Sequence, residues 1–442
     1  MTYDYDIIFI GGGLNYAGAV VASRAGLKTA LIEQHMEHLG GTCLHNGCIP
    51  SKMYLAAAET IFRAKKPFMK GELRLDMSKL DEEKEVLLKS ATEAITRQCA
   101  KADLIASKGI LEAPHTVVAG EKSLTARYVV IGTGARPFIP KGIEYDGVGV
   151  ITSDEVLNMK NLPEKIAIYG DGAIGLEMAS FFAAAGVETE LIWRHDTLLR
   201  KAHPLIGAAL KSQMAKLGVK LTPNRSIESA KNTKRGVHIR YEGGGEHYAP
   251  TLLVATGRRA VTDAVQIPQI ELDKRGIVTD EYFETTLKEH YAIGDCNGKL
   301  QLAHAARAQV LYVVKRILGK EEEVLNLDNV VKFIHTLSCS YAVVGLGKKA
   351  LEAKEVKFKE SVVPLKGVPF AQTHDGEDGV MCAYADSEGF LLGCEIFAPS
   401  AEELIAAASM ALAGEMDVTT MKRTILAHPT FSEGLERVLG RL

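Results

Sequence analysis

Two cysteines hold the most reactive side chains in the sequence. They stand five positions apart in Gly40-Gly41-Thr42-Cys43-Leu44-His45-Asn46-Gly47-Cys48-Ile49-Pro50-Ser51-Lys52. Glycines bracket this stretch, which reads as a loop. From Met53 to Arg63 the chain is alanine-rich and free of glycine, which predicts a helix. Cys48 then falls at or near a helix N-terminus, where free N–H groups and the dipole favour a thiolate. The alternatives are two buried structural cysteines or half of a zinc site. Zinc pairs usually have C-x2-C spacing and need a second ligand pair. Cys99, Cys296, Cys339, Cys382 and Cys394 offer none. Near the far end, His428 and Glu433 are five apart with Pro429 between them. A lone terminal histidine is unremarkable, and this one gains interest only beside the cysteines.

Two strand–turn–helix–strand units flank these residues. In the first, Asp6 to Ile10 is a short apolar run, as expected of a buried parallel strand. Gly11-Gly12-Gly13 makes the turn, Tyr16 to Gly26 a small-residue helix, and Lys28 to Glu33 the next strand. Glu33 lies 22 residues after Gly11, where a carboxylate can accept from ribose hydroxyls. The G-x-G-x-x-G fingerprint is imperfect: Tyr16 replaces its third glycine, and Gly18 follows two positions later. In the second unit the strand Ile166 to Tyr169 leads into Gly170-Asp171-Gly172-Ala173-Ile174-Gly175, a complete fingerprint opening a helix from Leu176 to Ala185. Each unit presents helix N–H groups to a pyrophosphate. The strand after the second helix ends Trp193-Arg194-His195-Asp196-Thr197-Leu198-Leu199-Arg200. No acid stands at the strand end itself. Arg194, His195 and Arg200 suit a 2′-phosphate, or form a solvated basic loop.

The remainder alternates. Residues 53–100 read as mainly helical with a break at Lys65-Lys66-Pro67, and 104–131 as strands ending before Gly132-Thr133-Gly134. A hairpin turns at Gly243-Gly244-Gly245, and Ala255-Thr256-Gly257 follows another strand. Tyr291-Ala292-Ile293 precedes Gly294-Asp295, and a helix runs from about Leu302 to Leu318. Glu321-Glu322-Glu323 suggests a connector. From Val330 onward strands alternate, with a long helix over Ser400 to Ala413.

The whole chain has 442 residues, enough for two to three domains. A hydrophobic share of 47% and a charged share of 24% are ordinary for a soluble protein. A net charge of -3 gives no reason to expect nucleic acid or an anionic membrane as partner. Seven scattered cysteines fit a reducing compartment. The acidic N-terminus lacks a signal peptide's basic region. No apolar run reaches the roughly 18 residues of a membrane span. A cytoplasmic location is expected.

These motifs, in this order, resemble the class I pyridine nucleotide-disulfide oxidoreductases, the flavoprotein disulfide reductases. Cys-Ile-Pro-Ser-Lys (48–52) and Ala427-His428-Pro429-Thr430 with Glu433 are most similar to the dihydrolipoyl dehydrogenase versions. Gly294-Asp295 resembles the flavin-ribityl contact, and Leu302-Ala303-His304 the segment after it. The Arg194-His195…Arg200 cluster is similar to the NADPH site of glutathione reductases. The resemblance implies an α/β fold of two Rossmann-like dinucleotide-binding domains and a C-terminal α+β dimerisation domain. The FAD-binding domain would be split over 1–148 and 265–328, with the NAD(P)-binding domain at 149–264 and the interface domain at 329–442. Bound FAD and NADP(H), favoured over NAD(H), are implied. So is a homodimer in which His428 and Glu433 of one subunit complete the other's site, with a cis bond before Pro429. Cys48 is implied to lie beside the flavin, Cys43 to exchange with a small-molecule or lipoyl-bound disulfide, and Lys52 to pair with Glu177. Implied cofactor contacts are Gly11, Gly13, Glu33, Gly41, Thr42, Lys52, Gly109, Thr133, Gly134, Asp295 and Ala303. For the nicotinamide nucleotide they are Gly170, Gly172, Ile174, Gly175, Arg194, His195, Arg200 and Gly257.

Overall fold

The computed structural model describes residues 2–320 and 323–442. Glu321 and Glu322 of the expected connector lie outside the described residues. The chain falls into two compact units. One comprises Met1–Ser51, Ser78–Phe138 and Arg258–Leu327, the other Lys52–Met77, Ile139–Gly257 and Asp328–Leu442.

The first unit is built on the strand Tyr5–Ile10. It pairs in parallel with Thr29–Glu33 on one side and Lys122–Ile131 on the other. Asp103–Ala106 extends the sheet beyond Thr29–Glu33, and His290–Ala292 adds in parallel to Lys122–Ile131. The apolar run of the first strand has no polar face because both faces are covered. Ile7 and Phe9 join a core with Val20, Leu31, Val130 and Val310. Ile8 and Ile10 join a second core with Ile32, Leu111, Val129 and Ile131. That is the pattern of a sheet buried on both sides. The helix Asn15–Arg24 forms the crossover between the first two strands.

His290, fully buried on its strand, ties this sheet to a loop. Its Nδ1 bonds the Lys288 carbonyl at 2.8 Å, and its Nε2 accepts from the His115 N–H at 3.1 Å. Only the neutral ring with its proton on Nδ1 can do both. Burial pulls the imidazole below its ordinary pKa, outweighing the Lys288 hydrogen bond. The unfolded chain therefore takes up this proton first, near pH 6.5. The contribution is complete above that pH and is lost as pH falls towards the folded value. Between pH 7 and 5 the unfolding temperature should fall less in His290→Gln than in the parent, measured by calorimetry. Equal falls would exonerate His290.

In the second unit, Lys220–Thr222, Glu188–Ile192, Lys165–Tyr169, Leu252–Val254 and Val150–Ile151 form one parallel sheet in that order. The expected hairpin is present: Gly236–Tyr241 pairs antiparallel with Glu246–Ala249. The C-terminal part is a five-stranded antiparallel sheet. Its order is Lys332–Ile334, Ser340–Gly345, Leu391–Ala398, Val380–Ala385 and Lys359–Pro364. Ala342, Val344, Met381 and Ile396 of this sheet pack with Ile405 and Ala408 of the helix Ala401–Ala413.

Candidate active site

Where a loop was expected around the cysteines, the structure has two helical segments. Cys43 lies in the short helix Gly41–His45, and Cys48 is the first residue of the helix Cys48–Ala64. The bend at Asn46 and Gly47 separates them. The Asn46 N–H closes on the Thr42 carbonyl at 2.9 Å, and the Ser51 N–H on the Gly47 carbonyl at 3.0 Å. Gly47 is required here, since a Cβ would lie 2.7 Å from the Thr42 oxygen. Cys43 is half-buried and Cys48 exposed.

The cysteine segment is seated on the first glycine turn. The Gly40 N–H donates to the Gly12 carbonyl at 3.0 Å. A Cβ on Gly41, whose φ is +69°, would come within 2.7 Å of the Gly13 Cα. Glu33 organises the same corner, accepting from the Gly12 N–H at 2.6 Å and the His35 N–H at 3.0 Å. The helix Asn15–Arg24 begins with neither a side-chain cap nor an acid in its first turn, which leaves N–H donors for an anion. Thr133 Oγ1 donates to the Val261 carbonyl at 2.5 Å. A Cβ on Gly134 would meet nothing within 4 Å. Gly109 instead opens the strand Gly109–Ala113 and packs towards Ile10 and Ile32. Asp295 lies in the 3-10 turn Gly294–Asn297, and Ala303 opens the helix Ala303–Ile317. Burial raises the Asp295 carboxyl above its ordinary pKa, and Arg258 offsets part of this.

In the second unit the helix Ala173–Ala184 starts three residues earlier than its sequence suggested, directly after Gly172. It too has no side-chain cap and no acid in its first turn. Gly175 packs so closely that a Cβ would lie 1.9 Å from the Gly170 oxygen, whereas beside Gly172 and Gly257 there is open space. Ile174 sits in that first turn. Arg194 and Arg200 are exposed and His195 half-buried, after the fully buried Trp193. Lys52 Nζ pairs with Glu177 Oε1 at 2.6 Å, as the sequence implied. His428 Nδ1 stands 3.2 Å from Glu433 Oε2. Glu433 Oε1 also accepts from the Thr430 N–H at 3.1 Å. That backbone bond first, and His428 next, hold the Glu433 carboxyl below its ordinary pKa. The His428–Pro429 bond is cis.

Residues 5–309 match the family described as pyridine nucleotide-disulphide oxidoreductase. The chain belongs to this family. Residues 332–439 match the dimerisation domain of the same pyridine nucleotide-disulphide oxidoreductases. The chain is similar to dihydrolipoyl dehydrogenase of Synechocystis, 31% identical over 99% of both chains. It is likewise similar to that of Bacillus subtilis, 30% identical over 98% of this chain and 97% of the relative. A mercuric reductase of Bacillus cereus is 30% identical, over 98% of this chain and 71% of its own length. In fold the chain matches LpdA of Mycobacterium tuberculosis, with a TM-score of 0.90, 23% identity and coverage of 98% and 99%. The HOCl-induced flavoprotein disulfide reductase RclA of Escherichia coli gives a TM-score of 0.87 and 23% identity over 99% of each chain. As a member of this family, the chain is an FAD-dependent oxidoreductase acting between pyridine nucleotide and a disulfide or dithiol. The glycine cradle and the uncapped helix N-termini described above suit the dinucleotides this requires.

Sequence reasoning left Tyr16 unexplained. The close helix–strand approach normally given to a third glycine falls here to Gly18, whose Cβ would lie 2.4 Å from Val310 and 2.9 Å from Phe9. Asn15 was missed as well. It is fully buried and its Nδ2 donates to the Ile10 carbonyl at 3.1 Å, joining the turn to the strand end. A buried asparagine at a helix start was a readable signal. His335, which donates its backbone N–H to Glu177 Oε1 at 3.0 Å, carried none.

Proposed function

We propose that this is a dihydrolipoyl-dehydrogenase-like enzyme that uses NADP(H) in preference to NAD(H). The observation that carries the thiol side is the Cys43–Cys48 segment followed by Pro50, Ser51 and Lys52, together with relatives named dihydrolipoyl dehydrogenase. FAD, when bound, mediates between a hydride donor and a thiol couple, which exchange electrons poorly on their own. In this reading Cys43 attacks the substrate disulfide, or is released from it, by thiol–disulfide exchange. Cys48 forms the internal disulfide with Cys43. His428, oriented by Glu433, takes and returns the thiol proton in the partner subunit's site of a homodimer. The FAD-binding (1–148, 265–328), NAD(P)-binding (149–264) and interface (329–442) domains are part of this proposal, as is a cytoplasmic setting.

Arg194 and Arg200, exposed beyond a strand that ends without a carboxylate, support the NADP(H) preference. The same arginines favour a second reading, a glutathione-reductase-like enzyme acting on a low-molecular-weight disulfide. A kinetic matrix separates the two: NADPH and NADH against lipoamide and oxidised glutathione, with the reverse dihydrolipoamide reaction. The first reading requires lipoamide turnover with NADPH ahead of NADH. Turnover of glutathione alone would replace it with the second. Arg194→Ala should raise KM for NADPH about tenfold, the range for one solvent-facing charge-assisted contact, and leave NADH unchanged. Equal changes for both nucleotides would remove the cofactor assignment.

A further inference from the structure

The Lys52–Glu177 pair does not stand alone. Glu177 Oε1 accepts from two donors, Lys52 Nζ at 2.6 Å and the His335 N–H at 3.0 Å. His335 directly follows the strand Lys332–Ile334, so its backbone position depends on what holds its side chain. The holder is Glu402, whose Oε1 lies 2.8 Å from His335 Nδ1. Glu402 is in the first turn of the helix Ala401–Ala413. Both side chains are largely buried, at 24% and 18% exposure. Burying such a pair gives little stability in itself. What it does provide is a fixed position and a fixed pattern of charge. Lys52, Glu177, His335 and Glu402 form an alternating cation–anion array across three helices and a strand end. Lys52 also sits over the Phe333 ring at 5.5 Å.

We propose that His335 and Glu402 are a positioning pair for Lys52, acting through the shared Glu177 oxygen. This rests on the proposed function, with Lys52 as the flavin contact that the family resemblance implies and through which the nucleotide would reduce the flavin. The titratable groups that face His335 are Glu402, Lys52 and Glu177, one from each of the three helices. The Glu402 hydrogen bond outweighs burial and raises the His335 imidazole above its ordinary pKa, with Lys52 opposing and Glu177 assisting. Burial would raise the Glu402 carboxyl, but the His335 hydrogen bond prevails and lowers it. The contact thus favours the doubly charged pair, and it fails as pH rises and His335 loses its proton.

The test measures nucleotide-driven reduction of the FAD-loaded enzyme by stopped flow between pH 6 and 10. The parent should show a decline as pH rises and His335 loses its proton. In Glu402→Gln that decline should begin at lower pH, because the carboxylate that raises His335 is gone. At a pH between the two declines the rate should be about tenfold lower, within the range that small misplacements produce. Glu402→Asp, which keeps the charge, should move the decline back towards the parent. A readout independent of activity is the acetylation rate of Lys52 by acetic anhydride, followed by mass spectrometry. It should rise in Glu402→Gln. If neither the pH profile nor Lys52 acetylation moves, while Lys52→Met slows reduction, the positioning pair is wrong and the Lys52 reading stands. If Lys52→Met leaves reduction intact, the underlying reading is wrong.

Discussion

The Cys43→Ser holoenzyme should lose disulfide turnover, by on the order of a thousandfold or more, yet still oxidise NAD(P)H with artificial electron acceptors. Removal of a covalent nucleophile has effects of that size. Serine keeps the shape of the side chain in the helix Gly41–His45 but cannot form a disulfide with Cys48 or with substrate. Nucleotide oxidation needs neither bond, so the two activities separate. The structure also excludes rescue by a thiol outside the Cys43–Cys48 segment. Cys99, Cys296, Cys339, Cys382 and Cys394 are all buried. Burial pushes Cys99 and Cys296 up to about 11, and Cys339 and Cys394 up to about 12. It raises Cys382 further still. Thiols of this kind present no thiolate near neutral pH and no access to a substrate. Cys48, the one exposed thiol left among the described residues, has lost the partner it needs to close an internal disulfide, so persistence of lipoamide or glutathione reduction in the variant would disprove the role given to Cys43.

What could be read from the sequence follows how local the physical cause is. Both nucleotide units were legible because a turn against a strand end admits no side chain, and glycine is then the only choice. Gly175 against the Gly170 oxygen is such a case. The first strand was legible because a sheet covered on both faces leaves no polar position. The cysteine segment was misread as a loop. Its helical turn rests on Gly40 and Gly41 meeting Gly12 and Gly13, an approach that no local pattern reports. Tyr16 looked like a defect because the fingerprint fixes a spacing. The steric need is only that some residue on the helix face approach Phe9, and Gly18 meets it. The helix Pro204–Lys216 went unread although Pro204 at its first position and His203 as its cap were both visible signals. The His335–Glu402 pair could not be read at all, since each partner alone is an ordinary surface residue type.

His428→Gln should lower kcat for disulfide turnover by about 10²- to 10⁴-fold, the usual contribution of a positioned acid–base group, with FAD content and unfolding temperature unchanged. The geometry explains why glutamine fails even though it can hydrogen-bond. Glu433 is held by the Thr430 N–H at 3.1 Å and faces His428 Nδ1 at 3.2 Å. Its lowered pKa keeps it a carboxylate at neutral pH, so the imidazole proton sits on Nδ1 and Nε2 is left to exchange with a thiol. An amide offers no group that both gains and loses a proton. The same geometry separates the two members of the pair by size of effect. Glu433→Gln retains the imidazole but removes the carboxylate that orients it, so its loss of kcat should be smaller than in His428→Gln. Unchanged kcat in His428→Gln would mean that a different group carries the thiol proton.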